Sequence, residues 1–513
     1  MKKLLAALLV IALLLSGCGP AIQPEPTNPT NPPMTTDPPA VDPSDCAQHK
    51  DANDNGSCDD CGTVLLVYID LYSINDLHGK LADGDNHPGV DELTTYLKNA
   101  RENDDYSIFL STGDMWQGSS ESNLTNGQIV VDWMNEMDFA AMSLGNHEYD
   151  WGSEFIETNS KLAEFPFLAI NVFDRQTNQR VEYCEASVVV ECGDLQIGII
   201  GAIGDCYSSI AVDKCADVYF KTGSALTSLI KEESTRLQNE GVDFVVYIIH
   251  DGYANDNPMK NYYDTALSDG YVDIVFEGHT HQGYRLVDEH GVYHLQNKGD
   301  NRGGISHAEV AINTVTASYT VRTAELVASS KYENLSDDPI VEALLKKYED
   351  QIDIADVVQG YNKAYRSSNF LCNLAAQQYY KAGLEKWGDQ YDIVLGGGFF
   401  QARSPYDLQQ GNVTYGDLYS IFPFDNMLTL CSIKGSDLAS KFFNTNNGNY
   451  YISYGAYGES VKNNIQANET YYVIVDSYTA YYAPNRLTVV EEYGDAVYAR
   501  DLLADYVRQG GLA

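Results

Sequence analysis

The chain has 513 residues, 44% of them hydrophobic, which is enough for two globular domains with cores of ordinary composition. It carries 73 acidic against 32 basic residues, a formal net charge of -41. This balance argues against a basic nucleic-acid-binding surface and against electrostatic attraction to anionic lipid, so no nucleic-acid polymer is expected as a partner. An anionic substrate would need metal ions or a few local arginines to overcome the overall negative field.

The first 45 residues predict a targeting segment and a tether. Lys2 and Lys3 precede an apolar run over residues 4–15, which is short for a membrane span. The run ends in Leu15-Ser16-Gly17-Cys18, which resembles a bacterial lipobox and so implies a signal peptide over 1–18 with lipid attached to Cys18. A plain secretory signal is the alternative. Residues 19–45 are rich in proline and polar residues, which favours an extended tether on the extracellular face of the bacterial cell membrane, with the lipid as the only membrane contact.

A small accessory motif is predicted over residues 46–62. Cys46 and His49 are spaced C-x-x-H, and Cys58 and Cys61 are spaced C-x-x-C, a set of residues typical of zinc ligands. The loop over 51–56 shares its alternating oxygen side chains and its glycine with part of a calcium loop, but no glutamate closes it. One or two disulfides are the alternative interpretation for an exported protein.

The next region alternates buried strands with helices, and ligand-type side chains follow the strands. The apolar run over 64–74 predicts a strand and leads to Asp76 and His78. A helix is predicted over 91–103 and a second strand over 107–111, which leads to Asp114. Asp76 and His78 stand two apart, so an extended backbone would point both side chains to one side, where they suit one metal ion.

Further along, the same pattern recurs. A helix is predicted over 127–137, and the stretch 145–150 then brings an Asn, a His and an Asp together in one loop. Strands predicted over 243–249 and 272–276 lead to three more histidines, the last two again spaced as on an extended backbone. Of the ten histidines in the chain, five stand at these positions, namely His78, His147, His250, His279 and His281. Open α/β sheets build their sites at the carboxyl ends of strands, so these residues predict a metal centre.

The blocks Asn75-Asp76-Leu77-His78, Gly113-Asp114, Gly145-Asn146-His147-Glu148, His250 and Gly278-His279-Thr280-His281 resemble those of the calcineurin-like metallophosphoesterases, in particular the bacterial 5'-nucleotidase family. The resemblance covers residues 64–513. It implies an α/β fold: an N-terminal calcineurin-like α/β/β/α sandwich over 63–330 and a smaller C-terminal α/β domain over 361–513.

The resemblance also implies two divalent metal ions, which could be Zn, Mn, Fe or Co. Asp76, His78 and His281 would hold one of them. Asn146, His250 and His279 would hold the other, and Asp114 would bridge the two. His147 would stabilise the phosphoryl group in the transition state, with Asp150 orienting its imidazole.

Two pairs of cysteines in this region are closely spaced. Cys184 stands near Cys192 and Cys206 near Cys215, which makes two local disulfides plausible in an exported chain. Free buried thiols are the alternative.

A linker helix is predicted over 331–360, because apolar residues recur at helical spacing from Ile340 to Tyr348. The resemblance implies that this helix acts as a hinge between the domains. It also makes Arg366 a phosphate contact, and it gives the same role to Arg403, although the block before that arginine has Leu395 where the family has an asparagine and carries two extra residues.

The resemblance assigns the nucleotide base to aromatic residues of the C-terminal domain. Phe424 and Tyr478 would stack on the base, and Asn426 would hydrogen-bond it. The Gly-Gly-Asp-Gly segment that contacts the ribose in the family is replaced here by residues 481–485. Extracellular hydrolysis of 5'-nucleotides is therefore expected, with a 2',3'-cyclic-nucleotide phosphodiesterase, a nucleotide-sugar hydrolase and a non-nucleotide phosphatase as alternatives. A surface binding protein without catalysis is the alternative from another class.

Overall fold

A computed structural model of the chain describes residue 46, residues 49–52, 56–82, 89–104, 106–252, 270–298, 303–399 and 407–443, and most of 450–513. Cys18 and Arg403, the predicted signal peptide and the tether lie outside the described residues. The chain divides into two compact units, Met1–Thr63 and Val64–Ala513. Among the described residues, no helix combines the length and the apolar character needed to cross a bilayer.

The larger unit contains twenty-one strands in its described part, here numbered in chain order. The first fourteen are β1 Leu66–Asn75, β2 Ser107–Ser111, β3 Ala141–Ser143, β4 Phe167–Leu168, β5 Val172–Asp174, β6 Ser187–Cys192, β7 Leu195–Ile203, β8 Val218–Phe220, β9 Phe244–His250, β10 Ile274–Glu277, β11 Tyr284–Val287, β12 Tyr293–Gln296, β13 Gly304–Asn313 and β14 Tyr319–Leu326. The others are β15 Val358–Asn362, β16 Ile393–Phe399, β17 Gly411–Thr414, β18 Leu428–Lys434, β19 Tyr450–Ser453, β20 Thr470–Asp476 and β21 Thr488–Glu492.

The helices of the described part are numbered in the same way. They are α1 Asp91–Asn103, α2 Ser120–Leu124, α3 Gln128–Glu136, α4 Ser153–Ser160, α5 Ser224–Asn239, α6 Pro339–Lys347, α7 Glu349–Ile352, α8 Ser368–Trp387, α9 Tyr415–Ile421, α10 Gly435–Lys441, α11 Ser460–Asn464, α12 Ser477–Tyr481 and α13 Ala499–Arg508.

Two six-stranded sheets face each other in the first domain. Their strand orders are β14-β13-β1-β2-β3-β4 and β11-β12-β10-β9-β7-β6. The strands β1 to β4 run parallel to one another, as do β7, β9 and β10, so the carboxyl ends of each parallel set share one sheet edge. The predicted site residues follow these ends.

The alternation of side chains along the strands builds the layers. In β1, Ile69 and Leu71 point into a core between the sheets, where they meet residues of β7 and β9 such as Ile199 and Ile248. Tyr72 and Ile74 point the other way, into a second core that α1 and α3 cover. A third core packs α5 on the outer face of β7 and β9. These layers are the predicted α/β/β/α sandwich.

The second domain is built on a five-stranded sheet of order β19-β16-β20-β18-β21. One core lies between this sheet and the helices α8, α9 and α13, and another lies against α10. Helix α8 packs closely on the sheet because Gly396 of β16 faces its backbone: a Cβ at this position would lie 2.5 Å from the backbone nitrogen of Tyr380. The boundaries at 63–330 and 361–513 stay predictions.

The prediction of one linker helix over 331–360 is wrong. The segment instead contains α6, α7 and a short 3-10 turn, Asp353–Asp356, and it then enters β15. The helical spacing of apolar residues stops at Tyr348, whose backbone (φ -101°, ψ 7°) ends α6. The segment then carries four acidic residues up to 356 and a β-branched pair at 357–358, which favours a strand.

The predicted local disulfides are not present in the structure. Cys184, Cys192, Cys206 and Cys215 are all free thiols. Cys184 and Cys192 are buried in different cores, which separates them despite their short spacing. The alternative of free thiols therefore describes this structure.

Candidate metal centre

The edges of the two sheets meet where β1 and β2 face β9 and β10. The hydroxyl of Thr112, just after β2, donates to the carbonyl of Glu277 at the end of β10 over 3.1 Å. Ligand-type side chains from both sheets therefore converge in one place. The sequence-predicted convergence of these residues is observed.

The first group consists of Asp76, His78 and His281, whose ligand atoms lie within 4.8 Å of one another. Nε2 of His281 lies 3.1 Å from Oδ1 of Asp76 and 3.4 Å from Nε2 of His78. One carboxylate and two imidazoles at these separations could hold a divalent transition metal.

The second group contains Asp114, Asn146, His250 and His279. Nε2 of His250 lies 3.1 Å from Oδ2 of Asp114. The His250 and His279 rings lie 5.3 Å apart. Despite the close approach to Asp114, Nε2 of His250 has no hydrogen-bond partner of acceptable geometry among the described residues, and neither has the buried Oδ1 of Asn146. Buried polar atoms without partners are costly in a folded chain, which fits two atoms that serve as metal ligands.

The two groups are joined through carboxylates. Ligand atoms of Asp76, Asp114 and His250 also lie within 4.8 Å of one another, and all three side chains are buried. Asp114 further accepts a hydrogen bond from the backbone N–H of His147 at Oδ1, over 2.8 Å. This hydrogen bond therefore helps to hold the carboxylate of Asp114 in place between the two groups.

The ligand-type residues have an unusual backbone conformation. Among the described residues only ten other than glycine have positive φ, and five of them belong to this site, namely Asp76, His78, Asp114, His279 and His281. The expectation that Asp76–His78 and His279–His281 lie on extended backbone is wrong. Tight left-handed turns after the strands aim the side chains inward instead, at a cost of roughly 1–3 kcal/mol per residue that functional sites commonly carry.

Hydrogen bonds fix the tautomers of two histidines. Nδ1 of His78 lies 2.9 Å from the carbonyl of Gln117, and Nδ1 of His250 lies 2.6 Å from the carbonyl of Thr112. Because a carbonyl only accepts, Nδ1 of each ring carries the hydrogen. In the neutral form that binds a metal, each ring then directs the lone pair of Nε2 at the cluster, the arrangement typical of metal-binding histidines.

The electrostatics of the cluster favour a bound cation. Burial opposes a charge on His250, but the carboxylates of Asp114 and Asp76 outweigh it and raise its pKa to about 10. Burial likewise opposes ionisation of Asp114, yet the charges of His250 and His147 lower its pKa well below the ordinary value. Burial and repulsion by His250 lower the pKa of His279 to about 4, so its ring is neutral at pH 7. The carboxylates of Asp114 and Asp76 thus stabilise positive charge at His250, as a divalent cation requires, and the neutral ring of His279 has a lone pair to offer.

His147 and Asp150 form a pair beside the two groups. Nδ1 of His147 donates to Oδ2 of Asp150 over 2.7 Å, while Nε2 lies 3.9 Å from Oδ2 of Asp114. The ring is edge-on to His78 with 5.2 Å between centroids. The side chain of His147 keeps 17% of its surface exposed, so Nε2 lies where a substrate could reach it.

Glu148 connects the two loops of the site, which the sequence did not indicate. Its buried carboxylate accepts hydrogen bonds from the backbone N–H groups of Asp114 (2.9 Å), Met115 (2.9 Å) and Gly145 (2.6 Å). Burial and the charge of Asp114 raise its pKa to about 7 against these bonds. An acidic residue after Asn-His carries no signal for such a role, because two of its three donors come from a loop more than thirty residues earlier.

Replacing Glu148 by glutamine is expected to destabilise the protein by about 1–3 kcal/mol, because the amide NH2 would face a backbone donor and leave it unpaired. Denaturant unfolding of the full chain measures the loss. Glu136→Gln, at an exposed position in α3, is the matched control and should unfold like the wild type. Equal midpoints for all three proteins would remove Glu148 from this role.

Cys206 also lies at the metal centre. Its thiol donates to the carbonyl of His250 over 2.8 Å, and its sulfur lies within 4.8 Å of ligand atoms of His250 and His279. The sequence paired it with Cys215 instead, because short spacing was the only signal available.

The second domain reaches the site through the loop 422–427. The ring of Phe424 lies 5.7 Å from the ring of His147, and the side chain of Asn123 in α2 donates to the carbonyl of Pro423 over 2.9 Å. Asn426 follows in the same half-buried loop. Tyr478, in α12, lies at the same end of the sheet, because Leu428 pairs with Asp476 in the β18–β20 ladder.

Arg500 fixes this loop, and no sequence motif indicated it. Its guanidinium donates to the carbonyl of Phe424 over 3.1 Å and to the carboxylate of Asp425. It lies 3.9 Å from the centroid of the Tyr419 ring, a cation–π contact at an almost fully buried site. Arg500 therefore holds the Phe424 backbone in position.

Arg366, a predicted phosphate contact, is not brought to the cluster by any contact among the described residues. Its backbone pairs with Leu408, and its guanidinium lies 4.7 Å from the Phe370 ring centroid. Its Nε is buried without a hydrogen-bond partner in the described part of the chain.

Two protein families match the chain. "Calcineurin-like phosphoesterase" matches residues 71–283, and "5'-nucleotidase, C-terminal domain" matches residues 354–485. The crystal structure of a 5'-nucleotidase precursor from Thermus thermophilus has the same fold, with a TM-score of 0.64 at 17% identity over 86% of this chain and 96% of that chain. These findings confirm the predicted α/β fold with its two domain types.

Three curated relatives show the range of similar proteins. Endonuclease YhcR of Bacillus subtilis (strain 168) is 26% identical over 72% of this chain and 32% of its own length. Snake venom 5'-nucleotidase of Gloydius brevicauda is 25% identical over 71% of this chain and 66% of its own length. The 2',3'-cyclic-nucleotide 2'-phosphodiesterase/3'-nucleotidase of Salmonella typhimurium is 26% identical over 42% and 37%.

The chain thus spans about a third to two thirds of the length of these relatives. The two family matches cover both of its domains, and the ligand-type residues of the first domain converge in space. The chain therefore belongs to the calcineurin-like metallophosphoesterases that carry a 5'-nucleotidase C-terminal domain, a family of phosphoric ester hydrolases that depend on divalent metal ions.

Proposed function

We propose that this chain removes the phosphate group from 5'-nucleotides, releasing nucleoside and inorganic phosphate, with two divalent metal ions. The observation that carries the proposal is the meeting of two ligand groups with the His147–Asp150 pair, under an aromatic residue of the second domain. The first part of this arrangement suits phosphoryl transfer, and the aromatic suits a nucleotide base.

The donor set fits the proposed metals. Asp76, His78 and His281 would hold one ion. Asn146, His250 and His279 would hold the other, and Asp114 would bridge them. Mixed imidazole and oxygen donors suit Zn, Mn, Fe or Co, and two such ions polarise a phosphoryl group and lower the pKa of water. Support comes from the buried lone pairs of His250 and Asn146, which have no partner in the described part of the chain.

His147 would act on the phosphoryl group and the leaving oxygen. Its Nδ1–H is held by Asp150, which favours the protonated ring and leaves Nε2–H to donate. As the oxygen of a water molecule bonds to phosphorus and the P–O bond to the nucleoside breaks, Nε2 would give its proton to the departing oxygen. The water would lose a proton in the same reaction, which restores the proton balance. Hydrogen bonding to the phosphoryl oxygens before that step would stabilise the charge that builds up there.

The base would bind between Phe424 and Tyr478, with Asn426 as its hydrogen-bonding partner. Two aromatic faces hold any base by stacking, which gives affinity without strong base selectivity. Arg366 and Arg403 remain the proposed phosphate contacts. They would supply local positive charge in a chain of net charge -41.

A 2',3'-cyclic-nucleotide phosphodiesterase is the second candidate, because a relative of that name matches 42% of this chain. A nucleotide-sugar hydrolase on the same site and a non-catalytic surface protein are weaker alternatives. The complete set of ligand-type side chains supports an enzyme over a binding protein.

A hydrolysis screen in which nucleoside, nucleotide and inorganic phosphate products are separated by chromatography tests the proposal. The purified chain is loaded with Mn²⁺ or Zn²⁺ and offered 5'-, 3'- and 2',3'-cyclic nucleotides, nucleotide sugars and a DNA polymer. The highest kcat/KM is expected for 5'-nucleotides. A preference for cyclic nucleotides would move the assignment to the second candidate. If metal-loaded protein hydrolysed none of these compounds, the proposal of a nucleotide hydrolase would be refuted.

Replacing Phe424 by alanine is expected to lower kcat/KM for nucleotides by about 10–100-fold, because stacking on a base contributes about 1–3 kcal/mol. Hydrolysis of p-nitrophenyl phosphate, which has no base, should change far less. Tyr361→Ala, at a position that is 47% exposed in β15, is the matched control. Unchanged nucleotide selectivity in both Phe424→Ala and Tyr478→Ala would contradict the stacking site.

We also propose that the chain is exported and held at the outer face of the cell membrane by lipid on Cys18. The lipobox-like residues 15–18 and the proline-rich tether support this location. Metabolic labelling with a radioactive fatty acid tests it: label should enter the wild-type chain and not Cys18→Ala. Equal labelling of both would contradict lipidation at this cysteine.

A further inference from the structure

The accessory motif brings four side chains of ligand type together. Cys46, His49, Cys58 and Cys61 place one sulfur or nitrogen atom each so that all four lie within 4.8 Å of one another. Sγ of Cys46 lies 3.8 Å from Sγ of Cys58, and Sγ of Cys61 lies 3.4 Å from Nδ1 of His49. Both halves of the motif contribute two residues to the cluster.

These distances distinguish a metal site from a disulfide. A tetrahedral zinc ion with Zn–S bonds of about 2.3 Å holds two sulfur ligands about 3.8 Å apart, whereas bonded sulfurs lie about 2.05 Å apart. The Cys46–Cys58 separation of 3.8 Å matches the first geometry. The structure contains no disulfide bond among Cys46, Cys58 and Cys61. A disulfide would not explain why His49 lies among the thiols.

The surrounding backbone supports this cluster. The backbone N–H of Asp59 donates to the carbonyl of Lys50 over 2.7 Å, which joins the two halves. Backbone N–H groups of Lys50, Cys61 and Asp60 also hydrogen-bond the sulfur of Cys58. Donors directed at a sulfur stabilise a thiolate, the form in which cysteine binds metal.

The described residues of the motif form no apolar core that could hold it together. Among its described residues, the only buried side chains are those of Cys58 and Cys61. A segment this short cannot bury an apolar core, and such segments are usually stabilised by disulfides or by a structural metal.

We propose that Cys46, His49, Cys58 and Cys61 form a structural zinc site separate from the phosphoesterase centre. Three soft thiolates and one imidazole in a tetrahedron favour Zn²⁺ over Mg²⁺, Ca²⁺ or Mn²⁺. All four coordination positions are filled by protein, so the ion would fold the motif and take no substrate. The proposal does not depend on the proposed function.

Cobalt substitution of the full chain tests the site directly. Co²⁺ bound by thiolates absorbs in the near ultraviolet through sulfur-to-metal charge transfer. The proposed ligands of the phosphoesterase centre are imidazole, amide and carboxylate groups, and the nearby Cys206 is a neutral thiol that donates to the carbonyl of His250. We expect this absorption in the wild type and in Cys215→Ser, and its loss in the double variant Cys58→Ser/Cys61→Ser. The double variant should also hold one zinc ion fewer per chain by mass spectrometry of the metal content.

A conservative variant distinguishes the loss of a metal ligand from misfolding of the motif. Cys46→His keeps four ligands, so it should retain the zinc ion while its cobalt absorption weakens by about a third, since one of three thiolates is lost. Nucleotide hydrolysis should be unchanged in all of these variants. Equal zinc content and equal cobalt spectra in the wild type and the double variant would overturn the proposal, as would a Cys46–Cys58 disulfide found by mass spectrometry of the protein purified without reductant.

Discussion

Replacing Asp114 by asparagine is expected to lower kcat/KM for a 5'-nucleotide by more than about 100-fold. Even the loss of a residue that only hydrogen-bonds a metal ligand lowers metal affinity or activity by about 10 to 100-fold. The side chain lies between the two ligand groups, where Oδ2 approaches His250 at 3.1 Å. An amide has the same shape but lacks the charge that a bridging ligand shares between two ions. Bound metal should therefore fall together with activity, as measured on the same sample.

Asp138→Asn is the control that separates this effect from a backbone effect. Asp138 has φ of 54°, as Asp114 has, but its side chain is 86% exposed and pairs with Arg101. Asparagine tolerates the left-handed conformation in both places. We expect wild-type metal content and activity for Asp138→Asn. An Asp114→Asn protein with the same metal content and the same rate as the wild type would exclude the bridging role.

Replacing His147 by alanine is expected to slow nucleotide hydrolysis by about 10² to 10⁴-fold, the usual contribution of a positioned general acid. The effect should depend on the leaving group. A nucleoside hydroxyl needs a proton as it departs, whereas p-nitrophenolate departs without one. The loss with p-nitrophenyl phosphate should therefore be much smaller, while metal content stays at the wild-type level because His147 is not assigned as a ligand.

His290→Ala is the matched control, since His290 pairs with Glu289 away from the ligand groups. Asp150→Asn should have an intermediate effect, because the amide oxygen can still accept from Nδ1 but no longer favours the charged ring. Equal losses with both leaving groups would leave His147 as a stabiliser of the phosphoryl charge and exclude proton donation. A wild-type rate in His147→Ala would remove it from the mechanism.

The sequence predicted the elements that carry the site because each follows a clear physical pattern. The helix at Asp91–Asn103 and the strand at Ser107–Ser111 have the predicted bounds, since amphipathic spacing and a short buried apolar run are strong local signals. Asp114 stands three residues after one such strand and His250 is the last residue of another, which marked them as candidates. Their convergence depended on the sheet topology, which the family resemblance supplied.

What the sequence could not show depends on contacts between distant segments. Left-handed backbone at Asp76 and His279 has no signal in those residue types, so extended chain was expected there. Glu148 and Arg500 act through backbone groups of other loops, and their partners follow only from the fold. Cys206 shows the opposite error, because a short spacing to Cys215 suggested a bond while the thiol lies against His250.

The most direct test of the central claim is phosphate release from a 5'-nucleotide by the chelated chain as metal is added back. Protein stripped of metal, with its content checked by mass spectrometry, should release no phosphate. Added Mn²⁺ or Zn²⁺ should restore hydrolysis of the nucleotide in the wild type and not in Asp114→Asn. Hydrolysis at an undiminished rate by the metal-free chain would contradict the account, and so would a fully loaded chain that cleaves no phosphate ester.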